Sequence, residues 1–578
     1  MGGQAPAAGV LLPGWVRWDP ASSFVTTQFP DDSISDSTRL LALSIVCRTI
    51  TPEQVYQLIQ HLGADPNVVL WMRAEGGTGG EVTACSLLSW AIDGDIDNTI
   101  PSAWARTSYG ISPIVLPRWS SVELQNAVLQ RLIINGADPS RGFMPPLRIA
   151  IQAGNEAAFR LLLDHNVPLD MEMLTLPGSY DNAMMPGPDQ ERQLLSMYRR
   201  LLQRDSSLAT QVDGALRNVL HLAGGRAQGW YSQAFIDDYI GMVISNGGDI
   251  RPPNFGGNTP LHFAAMWGSH RVAFNLCIRL SSDDINRGTP NDPADTPLAA
   301  AAQRLDFYFE VQQQQQQEQT EVQRERRERL VRQQEVTIPV LLRAGAAPSI
   351  ALMPTASEEQ RRQRSLLLPH YATVLNELPE VVMSAINAAL APQRDRSMLL
   401  ARLLPLAPHH DGAHPHPSPS NMAFGPHEAE AIAWKIGAFL DEPPAAVAAI
   451  DQYLIGESLL RRRVRAAVGH FVKSAATQTN SNREVVGGTR YQQQGDKRVK
   501  VTVPPLQCFA VKGSGGKLLM TGVREVVHRA RLDEVRQHGL EGVVKGFNEH
   551  LSDQDCQFEW GQLGRLSRTG LFVPLGIE

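Results

Sequence analysis

The sequence predicts a mainly α-helical chain: a solenoid of repeated helix pairs with long insertions, followed by a helical extension and a small α+β C-terminal domain. Three observations carry this. A helix ending at glycine recurs four times, as HLGADPN at 61–67, INGADPS at 134–140, SNGGDI at 245–250 and RAGAAPS at 343–349. Apolar helix-opening segments recur between these endings. Near the C-terminus helical periodicity gives way to the strand-like runs RYQQQGDKRVKVTV at 490–503 and LQCFAVKGSGGKLLMTG at 506–522.

The clearest opening segment is GNTPLHFAAMWG at 257–268. Thr259 is placed to cap a helix, Pro260 fits its first turn, and Leu261 with Ala264 and Ala265 shares one face. The same half recurs as RLLALSIV at 39–46, SLLSWAI at 86–92, PPLRIAIQAGN at 145–155, NVLHLAGG at 218–225 and DTPLAAAA at 295–302. In the endings, Gly63, Gly136, Gly247 and Gly345 occupy the place where a helix closes through a left-handed residue, and Asn166 stands there in the ungapped copy at 146–170. The TPLH run, the paired alanines and Gly268 resemble the ankyrin repeat. That resemblance implies a structural role for Thr259 through Ala265, with His262 a hydrogen-bonding residue rather than a base, and a protein-binding surface reached from the variable positions Met266 and Trp267.

Spacing supports the reading. Leu147 precedes Asn166 by 19 positions and Gly247 precedes Leu261 by 14, which together make the ankyrin period of 33. Leu88 precedes Gly136 by 48 and Leu298 precedes Gly345 by 47, so two repeats carry insertions, near 95–119 and 306–335. The first insertion reads as loop. The second, with QQQQQQ at 312–317 and EVQRERRERLVRQQ after it, reads as an exposed, coiled-coil-like helix laced by Glu–Arg pairs. Six repeats are countable, and seven if QLLSMYRRLLQRDSSLA at 193–209 is half of another.

The array is thus expected over 37–350, behind a leader or cap at 1–36. A helical region follows at 351–406, where LNELPEVVMSAINAAL at 375–390 resembles the start of an F-box; that would imply a Skp-type adaptor as partner. The alternative is a helix finishing the solenoid. Residues 407–426 read as a Pro/His-rich linker; its histidines lack a scaffold for metal. Residues 427–578 read as the α+β domain, with helices at 427–440, 444–471, 523–537 and 540–551. There KGSGGK at 512–517 reads as a hairpin turn rather than a phosphate loop, and RRRVR at 461–465 as a helix surface. Cys508 with His528, His538, His550, Asp553 and Asp555 supplies letters for thiol catalysis without a recognisable motif, so enzymatic activity is left open and no catalytic residue or cofactor is assigned.

Bulk properties set bounds. A net charge of −6 over 578 residues gives no general attraction to nucleic acid, and none is expected as a partner. Five scattered cysteines without a CxxC pair fit a reducing compartment and no metal site. No apolar run reaches the length of a membrane span and no Sec-type leader stands at the N-terminus, so a cytoplasmic protein is expected. An ankyrin array with an unfamiliar tail and no Sec signal is also similar to effectors that bacteria inject into host cells. The expected function is a scaffold binding an unidentified protein target; the alternatives are the ligase adaptor and a modifying enzyme.

Overall fold

In the computed structural model the described residues are 16–17, 25–29, 33–74, 84–94, 99–107, 110–142, 144–165, 167–177, 186–314, 321–406, 424, 426–437, 443–476, 488–503, 506–513, 515–547, 551, 556–567 and 569–577. Asn166, Gln315 to Gln317, the histidines of 407–426, His550, Asp553 and Asp555 lie outside them. The chain is mainly helical, with small sheets. Contacts divide it into two compact units, one of 1–276, 288–293 and 303–337, the other of 277–287, 294–302 and 338–578.

In the first unit short helices form two rows. One holds α1 (Asp36–Val46), α3 (Leu87–Trp90), α5 (Pro146–Gln152), α8 (Val219–Arg226) and α10 (Pro260–Met266). The other holds α2 (Pro52–Tyr56), α4 (Val122–Ile134), α6 (Glu156–Leu163), α7 (Pro188–Arg204) and α9 (Gln233–Ser245). Neighbours within each row touch in order, and a 3-10 turn, Met171–Leu174, takes the first-row place between α5 and α8. The half repeat at 193–209 therefore has a second-row helix, α7, but only that turn before it. Helix starts are capped where the sequence supplies Ser, Thr or Asn: Ser35, Thr51, Ser121, Asn155, Asn218 and Ser232 each accept the backbone N–H three residues on.

The endings share one geometry. Gly63, Gly136, Gly247 and Gly345 have φ of +67°, +94°, +93° and +97°. The residue after each donates back into the helix: Ala137 to Leu132 at 3.0 Å, Gly248 to Val243 at 2.9 Å and Ala346 to Leu341 at 3.0 Å. In the first copy Ala64 reaches one residue further, to Leu58, because α2 continues as a π turn over Gln57–His61.

Strands appear where loop was expected. The described residues of the leader include β1 (Val16–Arg17) and β2 (Val25–Gln28); β3 (Val69–Ala74) and β4 (Cys85–Ser86) follow the first ending. The insertion at 95–119 is a hairpin of β5 (Thr99–Thr107) and β6 (Gly110–Val115). The sheets run β1-β6-β5 and β2-β3-β4, with β1 parallel to β6. The two strands of the insertion pair with each other, and β1, far away in sequence, adds a short parallel pairing to β6.

Helices α11 (His270–Arg279), α12 (Ser282–Ile285), α13 (Pro297–Gln314), α14 (Glu321–Arg343) and α15 (Pro348–Leu352) follow. The second insertion is helical as expected, but α14 is not a free helix. Gln334 is buried and donates to the carbonyl of Met266 at 2.8 Å, Gln333 donates to that of Gln228, and the Arg329 guanidinium stacks 5.0 Å over Trp230. Polar side chains seat its Arg329–Gln334 stretch, while its last turns bury Ile338, Leu341 and Leu342.

In the second unit α16 (Glu358–Leu403) runs unbroken through Pro369, Pro379 and Pro392, and packs against α17 (Pro426–Gly437), α18 (Pro443–Tyr453), α19 (Leu459–Ala476) and α20 (Val523–His538). The 351–406 and 427–578 regions, separated in the sequence reading by a linker, thus share one core. The helix expected at 444–471 is two, parted at Gly456, whose φ is +71° and where a Cβ would lie 2.5 Å from the carbonyl oxygen of Ala344. The expected helix at 540–551 is absent from its described part, where Gly542, Gly546 and Phe547 have positive φ. Strands β7 (Gly488–Gln494) and β8 (Lys497–Val503) form a separate hairpin; β9 (Gln507–Lys512), β10 (Leu518–Gly522), β11 (Leu563–Leu566) and β12 (Phe572–Pro574) form an antiparallel sheet ordered β10-β9-β11-β12.

Candidate protein-binding face

The opening motif builds the face from inside. Thr259 caps α10 while His262, fully buried, turns its Nδ1 to the Thr259 amide at 3.1 Å and to its hydroxyl at 2.8 Å. Asn218 and His221 repeat this one unit earlier, the Asn218 amide donating to Nδ1 at 3.2 Å. With Nδ1 accepting, the His221 proton sits on Nε2 and is donated to the Asn258 carbonyl at 3.0 Å, a bond from one repeat to the next. Leu261, Ala264 and Ala265 are buried. The Ser269 hydroxyl, just after Gly268, donates to Gly224 O at 2.6 Å and accepts the Gln228 amide at 2.8 Å, tying the ends of α8 and α10.

Burial holds the His221 pKa at about 4, against an ordinary 6.5, and His270 is lowered in the same way, with Arg271 adding to the effect of burial. Unfolded, His221 takes a proton as pH falls below 6.5; folded, it resists until about 4. Its contribution is therefore complete above the unfolded value and is lost as pH drops through that window, by up to about 3 kcal/mol. His221→Gln is expected to flatten the loss of stability between pH 7 and 5 in urea titrations; an unchanged slope would refute this assignment.

Between the rows the chain turns out into fingers. Val212 bridges Asn218, and Asp213 accepts the amides of Ala215 at 2.9 Å and Arg217 at 2.8 Å. In the next finger the Asn254 amide donates to Asn258 O at 2.9 Å. The two fingers are joined, Phe255 N–H donating to Ala215 O at 2.9 Å and the Asn218 side chain to Asp249 O at 2.7 Å. Earlier in the array the Asn67 side chain likewise donates to Gly136 O at 2.8 Å and accepts from Asp138 N at 2.7 Å. Backbone bonding makes this a rigid row, and its tips are apolar: Val212 and Leu216 are each 49% exposed and Phe255 84%.

Met266 and Trp267, chosen from sequence, are both half-buried. Arg304 stacks its guanidinium 4.9 Å over the Trp267 ring, and the Met266 carbonyl is engaged by Gln334. The sequence reading missed Phe255. Its signal was an aromatic in the turn PNFGGN, where burial gives no reason for one.

The other candidates are placed as follows. Leu378 and Pro379 of the F-box-like stretch are buried inside α16. In RRRVR, Arg461 and Arg465 pair with Asp451, at 3.0 and 3.2 Å, and Arg463 with Asp533 at 2.9 Å. Between β9 and β10 the Gly513 amide donates to Lys517 O at 2.9 Å, as in a hairpin turn. Burial pushes the Cys508 thiol up to about 12, and His470 faces its carbonyl oxygen at 3.1 Å. A thiolate nucleophile has no support there. None of the five cysteines is joined in a disulfide. Among the described residues no group of His, Cys, Asp or Glu could hold a metal ion, and no helix is long and apolar enough to cross a membrane.

Capped helix pairs, left-handed glycine endings and joined fingers recur along the described helices. The Ankyrin repeat family model matches residues 256–289, so the chain carries an ankyrin repeat there. No curated protein matches it. A role in protein–protein interaction in general goes with that repeat.

Proposed function

We propose that the helix pairs of the first unit form an ankyrin-type array throughout, and that its finger row docks a protein target with Phe255 as the anchor. The exposure of Phe255 carries this reading. An aromatic ring left in water at the tip of a backbone-bonded turn contributes nothing to folding and supplies the large, rigid apolar contact that interfaces concentrate. Val212 and Leu216 widen the apolar tip, and the bonded fingers keep the ordering cost of binding low. Met266 and Trp267 take a secondary part, because Arg304 already occupies one face of the indole.

A photo-crosslinking side chain at position 255 is expected to capture a discrete protein partner, while the same group at Ile134, exposed at the end of α4, captures none. Unlabelled protein should compete, and Leu216→Asp should weaken capture by about tenfold or more. Equal labelling from both positions, or capture unaffected by Leu216→Asp, would refute the finger row as the docking face.

A further inference from the structure

We propose that the free edge of β10 is a second docking site, one that adds an extended, acidic-flanked apolar segment of a partner protein as a fifth strand of the β10-β9-β11-β12 sheet. The two edges of this sheet differ. At one, β12 has three residues and ends in Pro574, which has no amide to offer. At the other, β10 has five residues, no proline and, among the described residues, no strand beyond it. Its side chains leave the sheet's apolar rows unfinished. Leu563 and Val511 are buried and in register with Leu519, which is 54% exposed. In the next row Gly564 and Ala510 lead to Met520, 40% exposed, and Leu518 beside them is 37% exposed. Three consecutive exposed apolar residues on both faces of an edge strand are what natural sheets ordinarily avoid. Residues of a fifth strand opposite Leu519 and Met520 would continue the buried rows, so the partner's central residues are apolar.

Charge sets its flanks. Residues 507–522, the β9–β10 hairpin, contain Lys512 and Lys517 and no Asp or Glu, in a chain whose net charge is −6. Lys517 closes the β9–β10 hairpin next to the exposed residues, Lys512 extends its ammonium over the Phe572 ring at 5.9 Å, and the first carboxylate after β10, that of Glu525, is turned back onto the Gly522 amide at 3.1 Å. Backbone pairing would supply affinity, and this local positive field the preference for Asp and Glu at the ends of the incoming strand.

The probe is a fluorescent synthetic peptide of three valines flanked by glutamates, titrated by anisotropy into the full-length protein. Saturable binding is expected, with slowed hydrogen exchange at β10 amides. N-methylation of the central valines should weaken it by about tenfold or more, since it removes strand donors and leaves the side chains. The double variant Lys512→Glu with Lys517→Glu, checked for an unchanged circular dichroism spectrum, should weaken it similarly. No binding, equal binding of the N-methylated peptide, full competition by single-stranded oligothymidine, or occlusion of β10 by self-association of the chain in sedimentation would each overturn the proposal.

Discussion

Replacing Gly224 with alanine destabilises the first unit by on the order of 2 kcal/mol, although alanine is the better helix former by about 1 kcal/mol. The sign is reversed by packing. Gly224 lies in α8 against α10, and a Cβ there would stand 2.7 Å from the backbone nitrogen of Ala264, 3.1 Å from the carbonyl oxygen of Pro260 and 3.1 Å from Cβ of Phe263. Backbone atoms of a packed helix cannot swing aside as a side-chain tip would, so the helices must part. Gly241 in α9 is the control, since nothing lies within 4 Å of its added Cβ. Gly241→Ala is expected to stabilise by about 0.5–1 kcal/mol. Urea titrations followed by helix signal would separate the two, and a neutral or stabilising Gly224→Ala would mean the rows are looser than drawn here.

Arg531→Met in the second unit has a larger effect, about 3–5 kcal/mol of destabilisation. Arg531 is fully buried in α20. It donates to the carbonyls of Lys545 and Val544, each at 2.7 Å, and to the Asn376 side chain at 3.1 Å. Asn376 accepts the Val544 amide at 2.9 Å and donates to Gly542 O at 2.9 Å, so the two residues together pin residues 542–545 onto α16 and α20. Burial lowers the Arg531 pKa to about 10, which leaves it charged at neutral pH. Methionine keeps the bulk and removes the donors, leaving several acceptors unserved. The expected result is a lower unfolding midpoint in calorimetry and faster trypsin cleavage at Lys545. Unchanged behaviour in both would show that the loop is held by something else.

Features that repeat, or that depend on neighbouring residues, were readable from the sequence. The TPLH run at 259–262, the glycine endings and the turn at 513–517 each follow from local stereochemistry. So does the helix expected at 523–537, found over Val523–His538. What escaped depends on distant partners. The strand Val69–Ala74 owes its form to pairing with Val25–Gln28. The turn Met171–Leu174 is too short to show a period, yet it holds a helix's place. Residues 540–547 have helical apolar spacing, but Gly542 and Gly546 take left-handed conformations and Arg531 satisfies the carbonyls between them. A charged helix face normally means solvent; in α20 Arg524, Arg529, Arg531 and Glu534 are buried. At the candidate face the motif singled out Met266 and Trp267, and no local pattern announces that Arg304 stacks on Trp267 while Phe255 stays in water.

The seat of α14 on α10 alters what trimming this protein would do. A Cβ on Gly268 would lie 3.0 Å from Cβ of Gln333, and the Met266 carbonyl receives its hydrogen bond from Gln334. An added segment has become a supplier to the unit it interrupts. A redesign that cuts the chain back to a uniform repeat length would uncap the end of α10 and open a slot beside Gly268. Restoring stability there would take a donor and a side chain that average repeats do not carry, so insertion and repeat are expected to tolerate change only in concert.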